Sequence, residues 1–405
     1  MAFERLRKKR VMMLFPHMVV PGGALNYTLR LSELLSRGGA QVSVLTLCHD
    51  VESIDTPDGV EIIAHPHGPV TSSMSFWLLY PMWQKWLNGE IIRWRPDILV
   101  SHVFPSNWWG WFAKRAMPEI PMLWICHDPS AFIHSQRWIH ALKPVWKSWT
   151  ARILRPFLAH VDKRLADYGD AVVANSRFTA EQVRAVYGGE VAGIAYPGVD
   201  VEEFSRCNEP KQRLLLTVSH LSGFKRIDFL LEVFARVIQR NPDLRFAIVG
   251  DGEKMEDLKR LARRLGITEH VDFCGRQSGE ELIRTYSRAC LYLHGSIGET
   301  FGMTLLEALA GGCPVVAHAS GGPKEIVTQG TGRLLDTLRH EAWVEAINDL
   351  LSETDSQTPE VCRQRAAAFS WEATAGCVAS VIGRILVEST SSCSRNGEKL
   401  GCKGF

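Results

Sequence analysis

Short apolar runs alternate along this chain with longer segments whose apolar residues recur every three or four positions. The first run, RVMMLFP, predicts a buried strand over Val11–Phe15. It leads into GGALNYTLRLSELLSRGGAQVSVLTL, where Leu25, Leu29, Leu31, Leu34 and Leu35 follow a mainly helical spacing. Gly22 and Gly23 make the turn before this helix, and Gly38-Gly39 stop it ahead of the next strand. Further apolar runs at Glu61–Ala64, Asp97–Val100, Met122–Cys126, Ala171–Ala174 and Gly193–Tyr196 are separated by helical stretches. A second series starts near Arg213 with RLLLTVS, RFAIVG, HVDFCG, CLYLHG and PVVAHA, again spaced by helical segments such as GEKMEDLKRLARRLG and SGEELIRTYSRA. Strand–helix alternation of this kind predicts open parallel sheets covered on both faces. The chain therefore reads as α/β with two doubly wound domains.

The pattern breaks near YPGVDVEEF, Tyr196 to Phe204. This sets an N-terminal domain over 1–197 and a C-terminal one over 198–370, with a helix over 371–388 returning to the first. The polar stretch 389–405 is expected to be a disordered tail. Parallel α/β units bind ligands at the carboxyl ends of their strands. Two such units facing each other would form a cleft.

Composition narrows the possibilities. A length of 405 residues suits two domains, and a net charge of +2 argues against nucleic acid as the main ligand. The ten cysteines form no CxxC pattern, which points to a reducing, cytoplasmic setting with mostly buried thiols. Cys126-His127 alone makes no zinc site. No apolar run is long enough for a transmembrane helix, and MAFERLRKKRVMMLFPHMVV lacks the apolar length and cleavage site of a signal peptide.

The segment GETFGMTLLEALAGG places two carboxylates, Glu299 and Glu307, on either side of a helix start near Met303. A helix N-terminus behind a glycine-containing loop favours a diphosphate, and small Gly302 lets a ligand approach the backbone. Glu299 in the loop can accept bonds from sugar hydroxyls; Glu307, a turn into the helix, can reach ribose hydroxyls. Either acid alone reads better as a solvated surface group; the two together with the glycine-containing loop and the strand before it favour the ligand reading. After the strand LLLTVS, Lys225 can offer a point charge to a leaving diphosphate. After the strand MLWIC comes His127, with Asp128 placed to orient it, and His102 and Asn107 follow another strand as weaker acceptor-side candidates. Lys324 and Glu325 read as first-turn helix residues without chemistry.

The stretch GETFGMTLLEALAGGCPVVAHASGGPKEIV resembles the Glu-seven-residues-Glu signature of retaining GT-B glycosyltransferases, the large family 4-like group. VSHLSGFKRIDFLLEVF is similar to that family's phosphate segment. ANSRFTAEQVRAVYG, YPGVDVEEF and GGALNYTLRLSELLSRGGAQVSVLT extend the likeness over most of the chain. The resemblance implies a GT-B architecture of two Rossmann-like domains facing a cleft. It also implies a catalytic pair, His127 and Glu299, and donor contacts from Gly23, His220, Lys225, Phe301, Gly302, Met303 and Glu307. The family usually has arginine where this chain has His220, which weakens a two-cation clamp; Arg226 either compensates or points to solvent. No metal is implied.

The reaction so implied moves a hexose from a nucleotide sugar to an acceptor hydroxyl with retention of configuration. CHDPSAFIHSQRW, NSRFT and FPHMVVPGGA are similar to mannosyltransferases of lipid-linked oligosaccharide assembly, which favours GDP-mannose as cosubstrate and a glycan or lipid-linked acceptor. A UDP-sugar donor stays open, as do a nucleotide-sugar epimerase and a non-catalytic sugar-nucleotide-binding subunit. Two tryptophan-rich stretches bear on the acceptor. In SQRWIHALKPVWKSWTARILRPFLAHVDKR, Trp138, Leu142, Trp146, Trp149, Ile153 and Phe157 recur at helical spacing among basic residues. That pattern fits peripheral contact with a cytoplasmic membrane face and fits equally a core stripe with snorkelling cations. SFWLLYPMWQKWLNGEIIRW carries fewer charges and leans toward burial.

Overall fold

A computed structural model describes residues 3–20, 22–68, 74–134, 145–207, 209–353 and 358–400. The chain divides into two compact units, Met1–Tyr196 with Trp371–Phe405, and Pro197–Ser370.

The first unit is built on a seven-stranded sheet. Its order is Val60–Ala64, Gln41–Thr46, Arg10–Leu14, Ile98–Ser101, Met122–Cys126, Ala171–Ala174 and Gly193–Ile194. Every pairing is parallel. Strands buried on both faces need continuous apolar runs, and Arg10–Leu14 and Met122–Cys126 supply them. The last strand is shorter than the apolar run that predicts it, although Ala195 N–H still bonds the Ala174 carbonyl at 2.8 Å. The order in which strands are added reverses between Arg10–Leu14 and Ile98–Ser101, so this unit's topological switch point lies beside His102.

The second unit has a six-stranded sheet in the order Val271–Gly275, Arg245–Val249, Gln212–Val218, Ala289–His294, Val315–His318 and Gly332–Leu335. All of its pairings are parallel too. The Ile227–Val237 helix covers one face by burying Ile227, Phe229, Leu230, Leu231, Val233, Phe234 and Val237. Its switch point falls between Gln212–Val218 and Ala289–His294, so the loops after Val218 and His294 flank one crevice.

Two expectations change. The tail does not begin at residue 389: the helix that opens at Trp371 runs on to Leu400, because extending an established helix costs little even through serines. The basic, tryptophan-rich stretch falls only in part within the described residues. Trp138 and Leu142 lie outside the described residues, as do the side chains of Trp146 and Trp149. In the Val145–Ala166 helix Ile153 and Phe157 are 68% and 66% exposed. In the other stretch Phe76, Trp83, Leu87, Ile91 and Trp94 join the core. Of the eight cysteines described, all are free thiols and only Cys274 is exposed.

Candidate active site

In the second unit the chemistry gathers at the switch point. Lys225 ends a short 3-10 turn, Gly223–Lys225, after the Gln212–Val218 strand. Glu299 sits in the loop after Ala289–His294. Their side chains, 74 positions apart, meet at 2.7 Å, Lys225 Nζ donating to Glu299 Oε2. The two loops are also stitched directly, Ile297 N–H to the Phe224 carbonyl at 3.2 Å. His294 Nε2 lies 3.4 Å from the same Glu299 oxygen. Burial works to raise the Glu299 carboxyl, but the Lys225 ammonium and the His294 ring outweigh it and hold it well below the usual carboxylate range. Glu299 is thus a firmly ionised acceptor held against Lys225.

The next link is backbone. Gly302, at φ +105°, caps the Met303–Ala310 helix. A Cβ there would approach Leu305 Cδ1 to 2.7 Å. Leu305 and Leu306 are buried toward the sheet, and Phe301 is buried at the helix entrance. The amides of the first turn at Met303 point out of the helix end, as an anion site requires. Behind this loop lies the Gly-Gly turn of GGPKEIV. Gly322 N–H bonds the Glu299 carbonyl at 2.8 Å, Ser320 Oγ accepts from Gly298 N–H at 2.8 Å, and Glu299 forms a parallel bridge with Gly321. Lys324 and Glu325 fall in the short Pro323–Ile326 helix.

Glu307 is held from the side. Tyr286 OH donates to its Oε2 at 2.8 Å; burial raises the Glu307 carboxyl, against the effect of that bond. His220 is 64% exposed and 3.2 Å from Glu253. Arg226 is not turned to a compensating position: its Nε meets Asp228 at 3.3 Å and its guanidinium lies over the Phe229 ring. Its left-handed backbone, φ +52°, joins the 3-10 turn to the next helix and directs it there.

In the first unit Gly22 caps the Gly23–Arg37 helix in extended conformation, and Gly23 opens it. A Cβ on Gly22 would meet nothing within 4 Å, so this turn does not demand glycine sterically. His127 follows the Met122–Cys126 strand, packed edge-on against Tyr27 at 4.8 Å. The side chain brought to its ring is His102, with His102 Nδ1 3.2 Å from His127 Nε2. The sheet places His102 and His127 at the ends of adjacent strands, which makes His102 a neighbour of this ring that the sequence does not single out. Burial pushes His127 down to about 4, and burial together with His127 takes His102 well below its ordinary value. Both rings are neutral, one donating to the other. His102 Nε2 and Asn107 Oδ1 are buried without a partner in the described structure, which marks them as groups able to receive a ligand.

The depressed His127 has a stability consequence. Because its folded value lies below the unfolded 6.5, its contribution is complete above about pH 6.5 and is lost as pH falls toward 4. The loss amounts to roughly 3 kcal/mol at its full extent. Urea unfolding between pH 7 and 4 should show this decline, and the His127→Gln variant should show a shallower one.

Among the described residues no cluster of His, Cys, Asp and Glu could hold a metal ion. Nor, among them, is any helix long and apolar enough to cross a membrane. The pairing of two parallel α/β units, one presenting a Lys–Glu pair and a glycine-capped helix at its switch point, defines an enzyme of the GT-B class. Residues 200–369 match the family described as glycosyl transferases group 1, and residues 21–203 match glycosyltransferase family 4. The chain carries these two domains and is a glycosyltransferase, a hexosyltransferase by class. It is 28% identical over 423 aligned positions to a D-inositol 3-phosphate glycosyltransferase from Mycobacteroides abscessus, covering 96% of this chain and 92% of that one. A protein of the same description from Corynebacterium urealyticum is 28% identical, covering 87% of this chain and 88% of that one. Among solved structures, sucrose-phosphate synthase from Thermosynechococcus elongatus superposes with a TM-score of 0.77 at 20% identity, over 95% of this chain and all of the other. Anabaena HepE in complex with UDP-glucose gives 0.66 at 20% identity, over 95% of this chain and 99% of its own. At such identity these likenesses establish the fold.

Proposed function

We propose that the enzyme transfers a hexose from a nucleotide sugar to an acceptor hydroxyl with retention of anomeric configuration. The observation that carries this is the 2.7 Å Lys225–Glu299 pair beside the glycine-capped Met303–Ala310 helix. Lys225 and the helix amides would take the diphosphate, which frees Glu299 to accept bonds from the sugar hydroxyls. Glu307 would bind ribose once the Tyr286 bond is shared or exchanged, and His127 would touch the sugar. The bond from the anomeric carbon to the diphosphate breaks, and the acceptor oxygen bonds that carbon from the same face. The acceptor proton passes to the leaving phosphate. Catalysis is positioning plus stabilisation of developing charge, with no carboxylate nucleophile.

For the donor we favour GDP-mannose, on the likeness of the FPHMVVPGGA and CHDPSAFIHSQRW segments. For the acceptor two readings stand on different observations. The full-length relatives named for D-inositol 3-phosphate favour a phosphorylated polyol. The exposed Ile153 and Phe157 favour a lipid-linked glycan reached by peripheral contact with the cytoplasmic face of a membrane. The test is a panel of radiolabelled nucleotide sugars offered with either inositol phosphate or a membrane extract. GDP-mannose should give the largest turnover, and NMR of the product should show the donor's α configuration kept. An inverted product, or label that changes sugar identity without reaching an acceptor, overturns the reading.

A further inference from the structure

Helix Val145–Ala166 carries a carboxylate that the proposed reaction does not use. Asp162 is 0% exposed, and burying an ionised group is costly unless its oxygens are satisfied. Here four donors converge from three places in the first unit, the Ser106–Ala116 helix, the segment Ser130 to His134 and the end of the Arg177–Tyr187 helix. Trp108 Nε1 donates to Oδ1 at 2.5 Å and Ser130 Oγ to the same oxygen at 3.2 Å. Tyr187 OH donates to Oδ2 at 2.6 Å, and His134 Nε2 lies 2.8 Å from it. A core that needed only to be filled would use apolar side chains at lower cost.

What the carboxylate holds is the loop bearing His127. Ser130 sits two residues beyond Asp128 with φ +38°, a left-handed conformation that disfavours any side chain with a β-carbon. Glycine would adopt it without strain, but glycine has no hydroxyl to reach Asp162. Asn107 Nδ2 adds a second bond to Ser130 Oγ at 3.2 Å. The short Ala131–His134 helix that follows is tied at its other end by the same long helix. There Arg155 Nε donates to the Ile133 carbonyl at 3.0 Å and Nη2 to the His134 carbonyl at 2.7 Å. Between His127 and Ser130 lie only Asp128 and Pro129, and proline fixes its own φ, so anchoring Ser130 leaves His127 little freedom.

We propose that Asp162 is the positioning residue for His127: it clamps Ser130 in its left-handed backbone and so fixes where the His127 ring meets the substrate. This rests on the transferase reading for the meaning of His127, but the clamp can be tested without it. Side-chain nitrogen NMR of His127 and His102 should be recorded for the wild-type protein and for Asp162→Asn, alongside nucleotide affinity, thermal unfolding and turnover. Asparagine keeps the shape; the Tyr187 hydroxyl and His134 ring can reverse their donor roles toward its amide. The His127 signal should shift, kcat should fall about tenfold or more, and nucleotide affinity should stay within about twofold because the donor residues are in the other unit. Adding Ser130→Gly should recover much of the lost kcat, since glycine takes that backbone without a clamp. If Asp162→Asn does not fold, Ser130→Ala breaks the same link and leaves Asp162 its other donors; the same His127 shift is expected. An unmoved His127 signal in the variant that folds overturns the proposal, as does a loss of kcat that merely tracks the folded fraction. Failure of glycine to recover turnover overturns the backbone clamp. A wild-type protein that transfers no sugar overturns the transferase reading instead, while the NMR result still decides the clamp.

Discussion

Lys225→Ala should lower kcat/KM for the nucleotide sugar by about 10²–10³-fold, the scale expected when one preorganised stabiliser of developing charge is removed. The geometry explains why the loss should be so large. Lys225 is the cation that the loop after Gln212–Val218 delivers to the switch point, and it sits 2.7 Å from the carboxylate that would bind the sugar. Arg226 is committed to Asp228 and Phe229, and His220 lies out beside Glu253, so neither neighbour stands ready in its place. Alanine also leaves Glu299 without its principal counter-charge, and the carboxyl would then rise from its depressed value. Lys225→Arg keeps the charge but not its compact shape, and should recover only part of the activity. Steady-state kinetics with varied donor decides this; kcat/KM within about threefold of wild type in the alanine variant would remove Lys225 from the reaction.

Gly322→Ala should damage the candidate site of the second unit through a single added methyl group. A Cβ at this position would fall 2.3 Å from both Cα and O of Phe301, so backbone meets backbone and no side chain can swing aside. Overpacking of this kind costs about 1–3 kcal/mol, which for a unit of this size lowers the melting temperature by roughly 2–12 °C. The displacement also passes straight into the site, because Gly322 N–H holds the Glu299 carbonyl and Phe301 begins the turn into the Met303–Ala310 helix. Turnover should therefore fall about tenfold or more even where the variant is folded. Gly223→Ala, where an added Cβ meets nothing within 4 Å, is the control and should leave melting unchanged. Equal melting temperatures for the two variants would refute the account.

How much of this was readable in advance depends on whether the signal is local. The parallel sheets were legible because strands buried on both faces must be apolar throughout, as in Met122–Cys126 and Ala289–His294, and the helices between them keep a 3.6-residue rhythm. Lys225, Glu299 and Gly302 were legible as loop residues just past such strands. Their mutual contact was not, since the sequence shows two loops 74 positions apart and only the strand order makes them neighbours. For the same reason Tyr286 could not be matched to Glu307, nor His102 to His127. Asp162 was hidden more deeply: in the sequence it is one charge in a basic stretch, and nothing nearby discloses that Trp108, Ser130, His134 and Tyr187 all point at it. Its one faint trace is an acid at a helical position beside Leu158 and Val161, both of which pack on the core. The direction of Arg226 was beyond reach as well, because a left-handed φ at a non-glycine residue leaves no mark in composition.

The helix that opens at Trp371 completes a unit whose remaining chain ends at Tyr196, with the whole of Pro197–Ser370 in between. Trp371 stacks edge-on with Tyr27, Thr374 bonds the Tyr196 carbonyl, and Arg384 reaches the Ala192 carbonyl. On the ribosome these partners emerge far apart in time. The uninterrupted stretch from Pro197 to Ser370 can therefore mature first, while its predecessor waits with an unfilled groove for the later segment to arrive. Vectorial synthesis here inverts the usual order, and the waiting interval is when the nascent protein would most need a chaperone.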